Sequence, residues 1–351
     1  MFNVAMVGWG MSARTFHLPL LEANRAVTLK AIVTSKTQQC AEQWPNVFCA
    51  VSIEQLIANC QIDLAIVATP NHLHFEHVEM LLKAGIHVVV DKPATTNVSE
   101  LEALFHLAHE RERILAVFHN RRWDGDFIGL QAVIDEGLVG RPKVLLSHFD
   151  RFRPLPRDRW REHAIKGAGI WFDLGPHLVD QALCLFGRPQ AITAQLRALR
   201  EGALTTDYAH VSLHYPELEV LLRSSPYCSG QNLRFQLEGD AGTWRKYDLD
   251  PQEACLAAGH IPDTEIWKNE LPAECAFLSS EKGELELPLP KGDYGQFYRS
   301  VVSVLAGDAG AKLPVGPQQA MDVATVIDAA VLSSSQGGRY ELQWQNWSEY
   351  D

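Results

Sequence analysis

Three short segments of this chain carry residue types that can do chemistry together. The first is Gly8-Trp-Gly10-Met-Ser-Ala13, directly after an apolar run. Its first glycine permits a tight turn, its second lets backbone approach a pyrophosphate, and the small Ala13 lets the following helix pack closely. Amides at the start of that helix would then face a dianionic linker. The pattern predicts dinucleotide binding. The second segment, Val90-Asp91-Lys92-Pro93, ends another apolar run. Strand C-termini line the ligand crevice of open α/β sheets, so Lys92 would stand where a nicotinamide and its substrate meet. The proline favours extended geometry at the lysine. The third is Asp173-Leu-Gly-Pro-His177, in which Gly175-Pro176 marks an expected helix start. Asp173 and His177 can converge on one pocket, where a neutral imidazole is a natural base for a hydroxyl proton. On spacing alone, Asp173 could equally be a helix cap, His177 a core histidine and Lys92 a surface lysine.

The rhythm of the chain indicates what positions these segments. Across residues 1–120, apolar runs at Val4–Val7, Leu29–Val33, Leu64–Ala68, His87–Val90 and Ile114–Phe118 alternate with amphipathic stretches. Continuous apolar strands separated by helices predict a parallel sheet covered on both faces, hence a Rossmann-type α/β domain over 1–120. Strand patterns then follow one another at Lys143–Phe149, Ala191–Arg197, Tyr208–Tyr215, Leu218–Arg223, Leu233–Glu238 and Gly242–Tyr247. This predicts an α+β domain over 121–351 with a large, mostly antiparallel open sheet. Asp248–Leu289 reads as an irregular polar excursion, and residues 318–334 as a helix that packs back on the first domain.

The second strand ends Val33-Thr34-Ser35-Lys36, without the carboxylate that would hold an unphosphorylated ribose. Hydroxyls beside a lysine suit a 2′-phosphate, so Thr34, Ser35 and Lys36 predict NADP preference, with NAD as the alternative. The 351 residues carry 31 Lys and Arg against 43 Asp and Glu, a net charge of −12, which disfavours nucleic acid or an anionic membrane as partner. Seven scattered cysteines, none in a C-x-x-C pair, predict reduced thiols. No membrane-length apolar run and no leader pattern are found, so a cytoplasmic location is expected. Asn71-His72-Leu-His74-Phe-Glu-His77 has metal-like spacing, but no carboxylate-rich segment matches it, and no metal is expected.

Taken together, Gly8-x-Gly10-x-x-Ala13, Asp91-Lys92-Pro93 and Asp173-x-Gly-x-His177 resemble the Gfo/Idh/MocA oxidoreductases over essentially the whole chain. The family usually has Glu-Lys-Pro, so Asp91 is a one-methylene departure that leaves the lysine in place. The resemblance implies that Lys92, Asp173 and His177 are catalytic, and that Thr69, Pro70, Asn71, His74, Asp91 and Lys92 adjoin the cofactor. Phe118–Phe127 and Ser147–Pro154 are similar to a subgroup containing NADP-dependent scyllo-inositol dehydrogenase. That likeness implies a cyclic polyol or sugar substrate bound by Asn120, Arg121, Arg122, Trp123, Asp173 and His177. For each arginine, an interdomain salt bridge is the competing reading. Tyr294 is a further substrate candidate from the resemblance, although core packing explains it equally well. The family also implies a homodimer or tetramer through the second sheet. A non-catalytic, cofactor-binding sensor or corepressor on the same fold is the alternative function. A dihydrodiol or linear tetrapyrrole is the alternative substrate.

Overall fold

The computed structural model describes residues 1–262, 267, 269, 271–347 and 350. Six strands, β1 (Phe2–Val7), β2 (Val27–Val33), β3 (Phe48–Ala50), β4 (Leu64–Val67), β5 (His87–Asp91) and β6 (Leu115–Phe118), form a parallel sheet in the order β3-β2-β1-β4-β5-β6. All of β4 is buried, because helices cover both faces of the sheet. These are α1 (Leu18–Glu22), α2 (Thr37–Gln43), α3 (Ile53–Asn59), α4 (His74–Lys83) and α5 (Val98–Glu110). Ser52 and Asn97 cap α3 and α5 by accepting bonds from the amides of Gln55 and Glu100. The strand β3 was not expected from sequence, since three residues are too few to show a period.

The second region builds a nine-stranded sheet from β7 (Pro142–His148), β8 (Ala191–Arg197), β9 (Tyr208–His214), β10 (Glu219–Ser224), β11 (Leu233–Gly239), β12 (Thr243–Tyr247), β13 (Cys275–Ser280), β14 (Gly283–Pro288) and β15 (Tyr340–Glu341). Its order is β14-β13-β12-β11-β7-β10-β9-β8-β15. Only β7 and β10 pair in parallel among the described residues. Ala209, Val211 and Leu213 alternate inward along β9, the pattern of a sheet covered on one face. The helices here are α6 (Gly125–Asp135), α7 (Ile170–Phe186), α8 (Gln252–Ala257), α9 (Gly295–Leu305) and α10 (Pro317–Gln336). The architecture is therefore the expected Rossmann-like α/β unit followed by an α+β unit with a large, mostly antiparallel sheet. The stretch 248–289 is more regular than its composition suggested: it contains α8 and the hairpin β13–β14. The sheet-edge strand β14 is largely exposed, so burial imposes no strong apolar pattern on it.

Two C-terminal helices join the regions. Phe297, Tyr298 and Val301 of α9 pack into the core of the first sheet. Ala320 and Met321 of α10 belong to that same core, whereas Val323, Val326 and Ile327, one to two turns on, belong to the second. The Trp171 indole donates to the Ile327 carbonyl at 3.1 Å, fastening α7 to α10. The first sheet's strand ends, where ligands bind in such folds, thus face α7. Among the described residues, no helix is long and apolar enough to cross a membrane.

Candidate active site

The glycine loop shows why its residue types matter. Gly8 sits at φ +98°, and a Cβ there would come 2.7 Å from the Ala68 carbonyl oxygen at the end of β4. Only glycine fits that approach. Above Gly10 the space is open, with nothing within 4 Å of where a Cβ would stand. The chain continues as a helix with a wide π-type turn over Ala13–His17, and Ala13 is fully buried against the sheet. Gly8, Gly10, Thr34, Ser35, Lys36 and Thr69 line one open groove of about 480 Å³. Ser35 and Lys36 are exposed on its rim. An open glycine turn, a helix start and exposed hydroxyl and ammonium groups fit a nicotinamide dinucleotide.

The remaining cofactor candidates brace this groove. His74 is buried, with Nδ1 2.8 Å from the Pro93 carbonyl and Nε2 2.8 Å from the Thr69 carbonyl. It therefore ties the loop after β4 to the corner after β5. Pro70 precedes a single helical turn at Asn71–Leu73, and Asn71 Nδ2 donates to the Gly167 carbonyl at 2.8 Å. Gly167 has φ +73°, and a Cβ there would meet Thr96 Cγ2 at 2.6 Å, so glycine closes this loop onto the first domain. His72 stands edge-on to Trp160, and His77 lies 3.1 Å from the Thr69 hydroxyl. The three histidines thus serve separate contacts.

A second, more enclosed cavity of about 80 Å³ adjoins the glycine loop at Met11 and Ser12. Lys92, Asp173 and His177 all line it. The helix α7 begins at Ile170, five residues before the expected Gly175-Pro176 start, so Asp173 and His177 lie one turn apart on one face. Lys92 Nζ donates to the Asp173 main-chain carbonyl at 2.6 Å and stands 3.5 Å from its Oδ1. Arg161 Nε reaches the same Oδ1 at 3.3 Å. Burial alone would raise the Asp173 pKa, but Lys92, Arg161 and Arg151 outweigh it and hold the carboxyl below its usual range. Burial pulls the Lys92 ammonium below its ordinary value, opposed by Asp173 and Asp91. Burial, reinforced by Lys92 and Arg121, drives the His177 imidazole well below its ordinary range and keeps it neutral. Its Nδ1 is buried with no hydrogen-bond partner. An ammonium that can donate and an imidazole that can accept therefore share one space.

Asp91 lies at the wall between the two spaces. It accepts from Ser12 Oγ at 2.5 Å and from the Lys92 amide at 2.8 Å, with the His17 imidazole 3.8 Å away. Despite burial, these neighbours hold its carboxyl below the usual range. Asp91 thereby locks the glycine-loop helix to the strand end that presents Lys92.

Of the substrate candidates, Asn120 and Arg121 reach the cavity and three others do not. Arg122 is consumed by a bidentate ion pair with Asp180, 2.6 and 2.9 Å, and by the Pro314 carbonyl. It is a salt-bridge residue, though its partner Asp180 lies in the same unit and not across the domains as the competing reading had it. The Trp123 ring packs edge-on to Phe297 at 6.0 Å, and its carbonyl accepts from Gln252 and Asp293. Tyr294 is buried behind Arg121, its hydroxyl donating to Asp124 at 2.5 Å. Conversely, Arg151, Arg159, Arg161 and Glu253 line the cavity although none was a candidate. Arg157-Asp-Arg159-Trp-Arg161 alternates with period two, a signal that could have placed these arginines on one side of an extended segment. No pattern marks Glu253, which α8 brings across to Arg121 at 2.5 Å.

Comparisons with known proteins agree with this fold. Residues 2–119 match a family model described as an oxidoreductase family, NAD-binding Rossmann fold, and residues 131–342 match that family's C-terminal alpha/beta domain. The uncharacterized oxidoreductase YdgJ of Escherichia coli K12 is 39% identical over 95% of this chain and 96% of its own length. The scyllo-inositol 2-dehydrogenase (NADP(+)) IolW of Bacillus subtilis 168 is 35% identical over 95% and 94%. The solved structure of YvaA from Bacillus subtilis matches with a TM-score of 0.91 at 34% identity, covering 97% of this chain and 98% of that one. Family and fold support NAD(P)-dependent oxidoreductase chemistry at a CH–OH group. The chain, matched by the family's models over both its units, belongs to the Gfo/Idh/MocA oxidoreductases.

Proposed function

We propose that this protein is an NADP-preferring dehydrogenase that moves a hydride between the cofactor and a secondary alcohol of a cyclic polyol or sugar. The observation carrying the reading is the meeting of Lys92, Asp173 and His177 in one cavity that opens beside the glycine loop. IolW, named for an NADP-dependent reaction on scyllo-inositol, supports the substrate class. Exposed Ser35 and Lys36 at the end of an acid-free β2 support the cofactor preference.

The bound nicotinamide supplies the hydride acceptor, or the donor in the reverse direction. His177, kept neutral by burial, accepts the carbinol proton on its imidazole ring, which lines the cavity. Lys92 donates to the same oxygen and stabilises its developing negative charge in a site largely shielded from water. Asp173 holds Lys92 through its carbonyl and carboxylate, while Arg161 fixes that carboxylate. Asn120 and Arg121 line the space that neighbouring hydroxyls would occupy.

A spectrophotometric panel of inositols and sugars with NADP and with NAD tests the reading. Turnover with NADP and loss of that turnover in Lys92→Ala are expected. Cofactor binding without oxidation of any carbinol would sink it and favour a sensor.

A further inference from the structure

The catalytic cavity carries more positive charge than its own acids neutralise. Lys92, Arg121, Arg151, Arg159 and Arg161 line it, against Asp91, Asp173 and Glu253. The acids are already engaged. Asp91 serves Ser12 and the Lys92 amide, Asp173 is shared by Lys92 and Arg161, and Glu253 takes Arg121. Arg159 directs its Nε to Glu162 at 2.9 Å. Arg151 forms no ion pair among the described residues: Glu253 and Asp173 act on it only from beyond contact distance, and its guanidinium lies 5.1 Å from the Phe149 ring centroid. The same ring also carries Arg121 at 4.8 Å and Arg234 at 5.7 Å, so three cations gather around one aromatic side chain. The excess is local, since the whole chain is acidic at −12.

We propose, building on the dehydrogenase reading above, that the substrate carries a carboxylate in addition to its reacting carbinol, and that Arg151 receives it. A partly buried guanidinium with no acid in contact is costly unless a ligand brings a closer countercharge. The planar fork of arginine suits a carboxylate, which it can hold through two parallel bonds. Hydroxyls of a neutral polyol accept hydrogen bonds but leave the charge uncompensated. One guanidinium without an ion pair in this cavity matches the single charge of a carboxylate better than the double charge of a phosphate ester. Arg153, next along the loop, is pushed down to about 10 by burial and by Arg151, Arg157 and Arg159, which reflects the same crowding of cations. Aldonates and uronates are the compounds with this chemistry.

The test compares hexuronates and aldonates with neutral hexoses and inositols, and with glucose 6-phosphate, on the full chain loaded with NADP. We expect the best acid to exceed the best neutral compound at least tenfold in kcat/KM. Arg151→Met should lower that ratio roughly 30-fold, the size of a charged hydrogen bond, chiefly through KM. Arg151→Lys should recover part of it, because the charge remains while the fork is lost; it also serves if Arg151→Met fails to fold. A neutral compound or the phosphate ester as best substrate would overturn the proposal. So would an Arg151→Met loss that is equal for acids and neutrals. If nothing is turned over with either cofactor, the dehydrogenase reading fails by itself, and calorimetry with the same compounds still judges the subsite. Binding of an acid that Arg151→Met abolishes supports it; equal binding of acids and neutrals refutes it.

Discussion

The cofactor groove and the catalytic cavity lie side by side and are built by opposite means. The groove is open, at about 480 Å³, and is shaped by the Gly8–Gly10 turn, by strand ends and by side chains that include Ser35, Lys36, Glu54 and Glu76. Its residues come from the ends of neighbouring parallel strands. The cavity is about 80 Å³ and lined by buried charges drawn from β5, α7, α8 and the loop after β7. Phosphate can be held by amides and a helix start, which almost any helix provides once the turn is tight. Chemistry at a carbinol needs groups whose proton affinities are displaced, and displacement needs burial among other charges. One region depends on shape, the other on desolvation.

If that division is right, the largest effect belongs to Lys92→Ala. We expect turnover to fall about 1,000-fold, as for removal of an oxyanion donor. Fluorescence titration should find cofactor affinity within about threefold of wild type. A collapse of cofactor affinity would mean that the two regions are one. His177→Ala should cost roughly 100-fold in kcat through the proton step. Because burial holds His177 neutral, the wild-type rate should persist below pH 6.5 before its acid limb begins, and the variant should lack that limb. An acid limb centred at or above 6.5 would contradict the geometry. At high pH the rate should fall before the ordinary 10.5 of a lysine, since burial lowers Lys92.

A smaller change is expected from the groove. Lys36→Ala should raise KM for NADP about tenfold and shift the NADP-to-NAD ratio of kcat/KM by a similar factor. An unchanged ratio would show that Lys36 does not read the 2′-phosphate. The smallest effect concerns stability. Burial pushes His119 and His148 down to about 4. Between pH 6.5 and 4 the unfolded chain then binds more protons than the folded one, so stability is lost as the pH is lowered. Melting across that window should show a Tm lowered by several degrees, on the order of 5 °C, and His119→Asn should flatten the slope.

The two regions also differ in how much of them could be read in advance. Gly8, Gly10, Thr34, Ser35, Lys36 and Thr69 do line one groove, because each follows a strand whose apolar run is plain in the sequence. The pairing of Lys92 with Asp173, 81 residues apart, rested on resemblance and is now seen as a 2.6 Å contact. Arg122, next to Arg121, carries an identical side chain but turns to Asp180. Adjacent residues in that short helical turn face different ways, and no spacing rule reveals which acid waits on each side. Glu253 was invisible because its helix is six residues long and flanked by polar, irregular chain.

By itself, then, the amino-acid order determined the two-unit architecture, the strand ends and the glycine turn, since these follow from short-range periodicity and backbone freedom. The tertiary structure alone decided which cations enter the cavity and which are neutralised elsewhere. The reason is that a side chain's charge state and direction depend on what is buried next to it, and those neighbours arrive from α7, α8 and the loop after β7, far along the chain.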